Sequence, residues 1–300
     1  MSAAESTHPH AVPRRIAWVT CRDLPEPDAD EQPALDALRA AGFDAELAAW
    51  DDPSIDWARF ELAIIRSTWN YFHDPAAFEA CLGRASELTT LANPLAACLW
   101  NLHKGYLREL EAAGVAIVPT SWQARDQPVL DLAAAMDERG WSSVVVKPTV
   151  SAASFGTRRF ERSEVAEGRA FLEELASRGD AMVQPYIEGV DGAGEHSIIW
   201  IAGEYTHAIR KSPRLAGDDE SVSGELSVSA DQQQAANAVL AAIPDAACQG
   251  LLYARVDLMP AGERWLLSEL ELLEPSLFLM QSPTALARFV AVCAQYPRVD

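Results

Sequence analysis

Lysine is the scarcest charged residue of this chain and the most informative. Of 24 basic side chains only three are lysines, Lys104, Lys147 and Lys211. A sequence that uses arginine for generic positive charge retains a compact ammonium where a planar guanidinium would not fit, and point-charge binding of phosphate is one such role. Lys147 ends the apolar run Val144-Val145-Val146 and precedes Pro148. An ammonium at the end of a buried strand needs an anionic partner, because an unpaired one is costly. Small residues follow, with Ser151, Ser154, Gly156 and Thr157 in a stretch whose N–H and hydroxyl groups can close over phosphates. Further on, the Pro-interrupted segment Gln184-Pro185-Tyr186-Ile187 leaves main-chain groups able to read an adenine edge, and Glu195 lies beyond the glycines where it can accept from ribose hydroxyls.

The second group is acidic. Asp257 sits in Ala254-Arg255-Val256-Asp257-Leu258, and Glu269 and Glu271 follow a predicted hairpin turn at Pro260-Ala261-Gly262. Glu269 and Glu271 are two apart and share one strand face. Acids on one face between apolar neighbours repel unless a cation sits among them, and magnesium with substrate phosphates fits. Surface carboxylates in water are the plainer alternative. Arg255 and Arg210 would supply the positive counterweight. Arg66, Asn70 and Asp30, at the ends of predicted N-terminal elements, are candidates for substrate recognition.

The elements that must position these groups alternate strand and helix. Predicted strands at Ile16–Thr20, Ala45–Ala49 and Leu62–Ile65, with a helix over Pro33–Ala41, make a small parallel sheet. A helix over Leu99–Ala113 and a strand over Ala116–Pro119 come next, then a helix around Val129–Arg139. Strands follow at Ser143–Lys147 and Arg158–Phe160, a helix at Glu164–Ser177 and a strand at Ala181–Tyr186. A glycine-rich turn over Gly189–Gly194 leads to paired strands at Ser197–Ile201 and Glu204–Ile209. A helix over Gln232–Ile243 and strands at Tyr253–Met259 and Trp265–Leu273 complete the pattern.

The order of Lys104, Val-Val-Lys147-Pro, the Ser/Gly stretch, Gln184-Pro-Tyr-Ile, Glu195, Arg210, Arg255-x-Asp257 and Glu269-x-Glu271 resembles the ATP-grasp superfamily, in a layout similar to bacterial glutathione synthetase and D-alanine–D-alanine ligase. The resemblance covers roughly residues 100 to 280. It implies an α/β (α+β) ATP-grasp fold preceded by a small parallel α/β domain: a disordered leader over 1–14, the pre-ATP-grasp domain over 15–98, and the ATP-grasp region over 99–300, its lobes dividing at 187/188. It implies that Lys104 and Lys147, with Lys211, hold ATP phosphates, that Tyr186 and Ile187 meet adenine, that Glu195 binds ribose, and that Asp257, Glu269 and Glu271 hold Mg2+ (or Mn2+). Many relatives have Asn where this chain has Glu271. The strings Arg66-Ser-Thr-Trp-Asn-Tyr71, Trp100-Asn-Leu-His-Lys104 and Glu269-Leu-Glu-Leu-Leu-Glu-Pro-Ser-Leu-Phe278 resemble the branch containing the cycloserine-biosynthesis cyclo-ligase, which closes O-ureido-D-serine into a ring. The implied activity is a C–N bond-forming, ADP-producing ligase. A peptide-forming ligase, a phosphotransferase on the same fold and a non-catalytic nucleotide-binding protein remain alternatives.

Composition fits a small-molecule enzyme. At 300 residues, with 49% hydrophobic and 23% charged, the chain can build a large core without staples. Its net charge of −20 would repel a nucleic-acid backbone, so no nucleic-acid partner is expected. Five scattered cysteines without a C-x-x-C pair point to reduced thiols in the cytoplasm. No apolar run reaches membrane-spanning length, and no signal peptide is predicted. Relatives imply a possible homodimer.

Overall fold

The computed structural model describes residues 14–212 and 221–297. The predicted leader up to Pro13 lies outside the described residues.

Twelve strands among the described residues form three sheets. The first contains β1 (Arg15–Thr20), β2 (Asp44–Ala49), β3 (Leu62–Ser67) and β4 (Thr90–Ala92), all parallel, in the order β2-β1-β3-β4. Its central strands are apolar runs buried on both faces, as parallel sheets require. Helices Glu31–Ala40 and Pro75–Leu88 flank it, the latter capped by Asp74 accepting from Ala77 N and carrying Pro75 in its first turn. This second helix and β4 had no counterpart in the sequence reading.

The second sheet is antiparallel, with β5 (Ser121–Gln123), β6 (Ser143–Pro148), β7 (Arg158–Glu161) and β8 (Ala181–Pro185) in the order β5-β8-β6-β7. One face of β6 packs Val144 and Val146 against Leu132, Met136, Phe160 and Leu172. The period of two then puts Val145 and Lys147 on the opposite face, which lines a cleft. The third sheet is also antiparallel: β9 (Glu195–Ile201), β10 (Glu204–Lys211), β11 (Tyr253–Ala261) and β12 (Arg264–Glu271), in the order β10-β9-β11-β12.

Three local expectations are corrected. The single helix expected over Leu99–Ala113 is two, Leu95–Asn101 and Tyr106–Ala112, because the chain turns at 102–105 to point Lys104 into the cleft. The strand expected at Ala116–Pro119 is only an isolated bridge, Ile117 with Leu267. The glycine-rich turn over Gly189–Gly194 closes as the short helix Gly189–Ala193.

The first and third sheets share a core. Ile16, Trp18 and Leu35 pack with Ile199, Tyr253 and Phe289, the last from the C-terminal helix Pro283–Gln295. Arg14, placed in the leader by the sequence reading, is buried and donates to the carbonyls of Cys293 at 2.8 Å and Tyr296 at 3.1 Å. All five cysteines are free thiols. Among the described residues no helix is long and apolar enough to cross a membrane.

Burial pushes the His207 imidazole below its usual range, against the pull of Glu225. The folded state therefore holds His207 neutral, whereas the unfolded chain takes up a proton below about pH 6.5. This contribution to stability is complete above that pH and is lost as pH falls through it. The slope reaches about 1.4 kcal/mol per pH unit for one proton. In urea denaturation at pH 7.5 and 5.5, His207→Gln is expected to remove this acid-side loss relative to the wild type, whatever the raised carboxyls of the cleft add to both proteins. Part of the slope survives, because burial also lowers His103 and His196.

Candidate active site

The cleft lies between the second and third sheets, with its floor on β11 and β12. Asp257 stands opposite Glu269 in the ladder and Arg255 opposite Glu271, so four charged side chains share one face. A register shift after Asp257 makes Ser268 the extra residue of a bulge. Its hydroxyl donates to the Asp257 carbonyl at 3.0 Å and to Glu195, which ties β12 to β9 at the point where the acids face the cleft.

Every one of these acids meets a cation. Lys147 Nζ donates to Glu269 at 2.6 Å, and Lys104 Nζ lies 3.5 Å from its other oxygen. Lys211 Nζ reaches Asp257 at 2.8 Å and Glu195 at 3.0 Å. Arg255 grips Asp257 through Nε at 2.9 Å and Nη2 at 2.9 Å, and donates to Glu271 as well. Burial works against charge on Glu269, but Lys104 and Lys147 more than offset it and hold the carboxyl well below the ordinary range. Glu271 goes the other way: burial, with Asp257 and Glu269 nearby, raises it to about 7 despite Arg255. Lys211 is raised, since Asp257 and Glu195 outweigh the burial that disfavours its charge.

The other end of the cleft is less charged. Val118, Val145, Val190, Met259 and Leu270 line it together with Gln184, Pro185, Tyr186 and Ile187 from the end of β8. Arg159 lies over the Tyr186 ring at 3.7 Å from its centroid. Just after Ser151, Ala153 and Ser154 both adopt left-handed φ values of 49° and 57°, a strained path of the kind found at ligand clamps. Ser151 and Ser154 line the cleft; Gly156, at φ 69°, turns the segment from behind, where a Cβ would press on Pro148 at 3.2 Å. Phe155 stacks on Phe72 with centroids 4.4 Å apart, which joins this flap to the N-terminal sheet.

The cleft thus gathers Lys104, Lys147, Lys211, Ser151, Ser154, Gln184, Tyr186, Ile187, Glu195, Arg255, Asp257, Glu269 and Glu271. Of the expected residues, Gly156 lies behind the cleft lining and four others are elsewhere. Arg210 is exposed, one step along β10 from Lys211 and therefore on the opposite face. Asp30 is buried and accepts from the N–H groups of Leu277 at 3.1 Å and Met280 at 3.2 Å, so it fixes the C-terminal loop. Asn70 is held by Trp50 at 2.6 Å and Asp51 at 2.9 Å. Arg66 is 1% exposed, packed over the rings of Trp18 and Tyr253. These three positions serve the N-terminal core and do not line the cleft. The sequence reading missed Trp69, Tyr71 and Glu274, which do. The string Glu274-Pro275-Ser276, directly after the paired acids, was the available signal for the last.

Comparison with known proteins places this arrangement. A protein of Streptomyces lavendulae named cycloserine biosynthesis protein DcsG is 34% identical over 282 residues, spanning 89% of this chain and 94% of its own. The chain belongs to the DcsG family. Residues 16–93 match the family described as D-cycloserine synthetase DcsG, N-terminal domain. The crystal structure of D-cycloserine synthetase DcsG superposes with a TM-score of 0.84 at 34% identity, covering 94% of this chain and 99% of the other. More distant likenesses establish the ATP-grasp fold. A RimK domain ATP-grasp protein of Sphaerobacter thermophilus gives a TM-score of 0.64 at 18% identity, covering 93% and 98% of the two chains. The D-alanine–D-alanine ligase of Bacillus anthracis complexed with ATP gives 0.66 at 14%, covering 94% and 96%. The sequence-based expectation of an ATP-grasp enzyme, in the branch of the DcsG family, is met.

Proposed function

We propose that this DcsG-family chain is an ATP-dependent ligase that activates a small carboxylate as an acyl phosphate and forms a C–N bond with release of ADP and phosphate. The observation that carries the reading is the interleaving of Lys104, Lys147, Lys211 and Arg255 with Asp257, Glu269 and Glu271 in one cleft. Such a lattice of opposite charges opens readily for an anion bound together with a cation.

ATP would lie with adenine at the apolar end, against the main chain of Tyr186 and Ile187, and its ribose near Glu195. The phosphates would draw Lys104, Lys147 and Lys211 away from their carboxylates. Asp257, Glu269 and Glu271 suit Mg2+ (or Mn2+) by chemistry, being hard oxygen donors on one ladder face. Among the described residues no ready cage of three His, Cys, Asp or Glu exists, consistent with each acid being engaged by a lysine or Arg255. The metal, when bound, would neutralise phosphate charge.

The substrate carboxylate attacks the γ-phosphorus, the bond to the β-phosphate oxygen breaks, and ADP leaves with that electron pair. A nitrogen nucleophile then attacks the acyl carbon and expels inorganic phosphate. Lys104 and Lys147 hold the transferring group in place, Arg255 offsets developing charge, and the flap carrying Ser151 and Ser154 keeps water from the acyl phosphate. The relatives' names point to D-cycloserine as the product. With O-ureido-D-serine as substrate, the ureido nitrogen bonded to oxygen closes on the acyl carbon, and the carbamoyl group is split from it by water and leaves as carbon dioxide and ammonia. The free thiols suit a reducing, cytoplasmic setting.

With MgATP and O-ureido-D-serine the protein is expected to release ADP and phosphate in equal amounts, with D-cycloserine detected by mass spectrometry. ADP release without phosphate would establish a phosphotransferase instead. Turnover with other amino acids and none with O-ureido-D-serine would leave a ligase of different substrate.

A further inference from the structure

The cleft contains one buried carboxyl group with no ion-pair partner in contact with it among the described residues. Glu195, Asp257, Glu269 and Glu271 each have a lysine or arginine within ion-pair distance. Glu274 is 8% exposed, lines the same cleft, and forms no ion pair among the described residues. Its hydrogen-bonding neighbour is the neutral hydroxyl of Tyr71. Its main chain is fixed, since Trp69 Nε1 donates to the Glu274 carbonyl at 3.0 Å. A buried acid held rigidly in a cleft without a counter-ion is costly in the empty protein. Burial, with Glu271 adding repulsion, raises it to about 8.

The surroundings identify what would relieve it. Trp69 and Tyr71 are themselves buried and line the cleft beside it, and aromatic walls with a carboxylate base are a recognition site for an organic cation. The location is also informative. The Ser151 carbonyl accepts from Tyr71 Oη at 3.3 Å and from Lys104 Nζ at 3.3 Å, so this subsite adjoins the lysines assigned to phosphate. A group bound at Glu274 therefore belongs to the molecule being activated and not to the nucleoside end, which lies towards Gln184 and Ile187.

We propose that Glu274, flanked by Trp69 and Tyr71, binds the protonated α-amine of the substrate and so makes the enzyme selective for amino acids over their des-amino counterparts. The proposal rests on the ligase reading above for the identity of the cleft. The ammonium meets the carboxylate, the rings exclude water, and the substrate carboxylate is directed towards the lysines. No bond changes at Glu274; the carboxyl, raised to about 8 in the empty site, releases its proton to solvent as the ammonium binds, and its role is recognition.

The test compares O-ureido-D-serine with the same molecule carrying hydrogen in place of the amine, in the wild type and in Glu274→Gln. Calorimetric binding in the presence of a non-hydrolysable ATP analogue is read alongside turnover. The wild type is expected to prefer the amine-bearing compound by about 100-fold, a buried charged hydrogen bond being worth about 3 kcal/mol. Glu274→Gln should collapse that preference to a few-fold, through KM and not kcat, with the affinity for the ATP analogue unchanged. Trp69→Leu should erode the preference in part. A preference that survives Glu274→Gln, an equal loss for both compounds, or the absence of amine-dependent binding in the wild type would overturn the proposal. Binding and turnover separate the two readings: amine-dependent binding that needs Glu274 but is followed by no ADP release sinks the ligase assignment alone. Turnover with an unaltered preference sinks the ammonium site alone.

Discussion

Lys147→Met is expected to lower substrate-dependent ADP release by about 10²- to 10³-fold, the usual loss when one electrostatic donor to a developing charge is removed. Lys147 is 9% exposed, and its ammonium is 2.6 Å from Glu269. The substitution would remove the proposed phosphate contact and also leave Glu269 with Lys104 as its ion-pair partner, at 3.5 Å. A drop in stability is expected as well, so the rate must be read on protein shown to be folded by circular dichroism. Lys147→Arg separates the two effects. It restores a cation to Glu269 and recovers most of the stability. A planar fork at the end of β6 does not reproduce a point charge on phosphate, so the rate stays low. Full activity in Lys147→Arg, or loss of less than about tenfold in Lys147→Met, would remove Lys147 from the phosphate site.

Asn93→Ala is expected to cost about 3–5 kcal/mol, the sum of several buried groups left unpaired at about 1–3 kcal/mol each. Asn93 is fully buried just after β4. Its amide donates to the carbonyls of Tyr253 at 2.8 Å and Leu272 at 2.6 Å, while its oxygen accepts from Leu252 N at 2.7 Å and Tyr253 N at 3.3 Å. One side chain thus joins the first sheet to the start of β11 and the end of β12. Asn101 repeats the device on Leu270, Leu272 and Leu273, and Asn101→Ala should fall in the same direction by less, because Asn101 is 8% exposed and makes fewer bonds. Thermal melts should place Asn93→Ala about 10 °C below the wild type. A shift of a degree or two would mean that water replaces these bonds at no cost.

The parts of the site that were legible in the sequence share one property: their chemistry is expressed locally. A lysine closing a valine run, or two acids two apart on an apolar strand, identifies itself from its neighbours, and Lys147, Glu269 and Glu271 lie where that reasoning put them. Arg210 failed by one residue, because which of two adjacent side chains enters the cleft depends on the register of β10 with β9. Asp30 failed for a different reason. Its partners, Leu277 and Met280, lie some 250 positions away, and no local pattern announces that a buried acid is occupied by distant amides. Glu274 escaped notice because what marks it is the lack of an ion-pair partner among the described residues, and that is visible only once its neighbours have been placed. The same contrast holds for the fold. Alternating apolar runs marked nearly every strand, while the break at 102–105 within an otherwise helical stretch arises from aiming Lys104 at a cleft built by other elements.

The shared core of the first and third sheets has a consequence for how the chain is made. Trp18 leaves the ribosome long before Phe289, whose ring meets it edge-on at 6.1 Å between centroids. Until then one flank of the N-terminal sheet has no cover, and Arg14 has no carbonyls from Cys293 and Tyr296 to hold. Contacts of such long sequence separation close late. The N-terminal sheet therefore waits for the helix Pro283–Gln295, and a chain interrupted before that helix would display Trp18 and Leu35 to whatever chaperone or neighbour reaches them first.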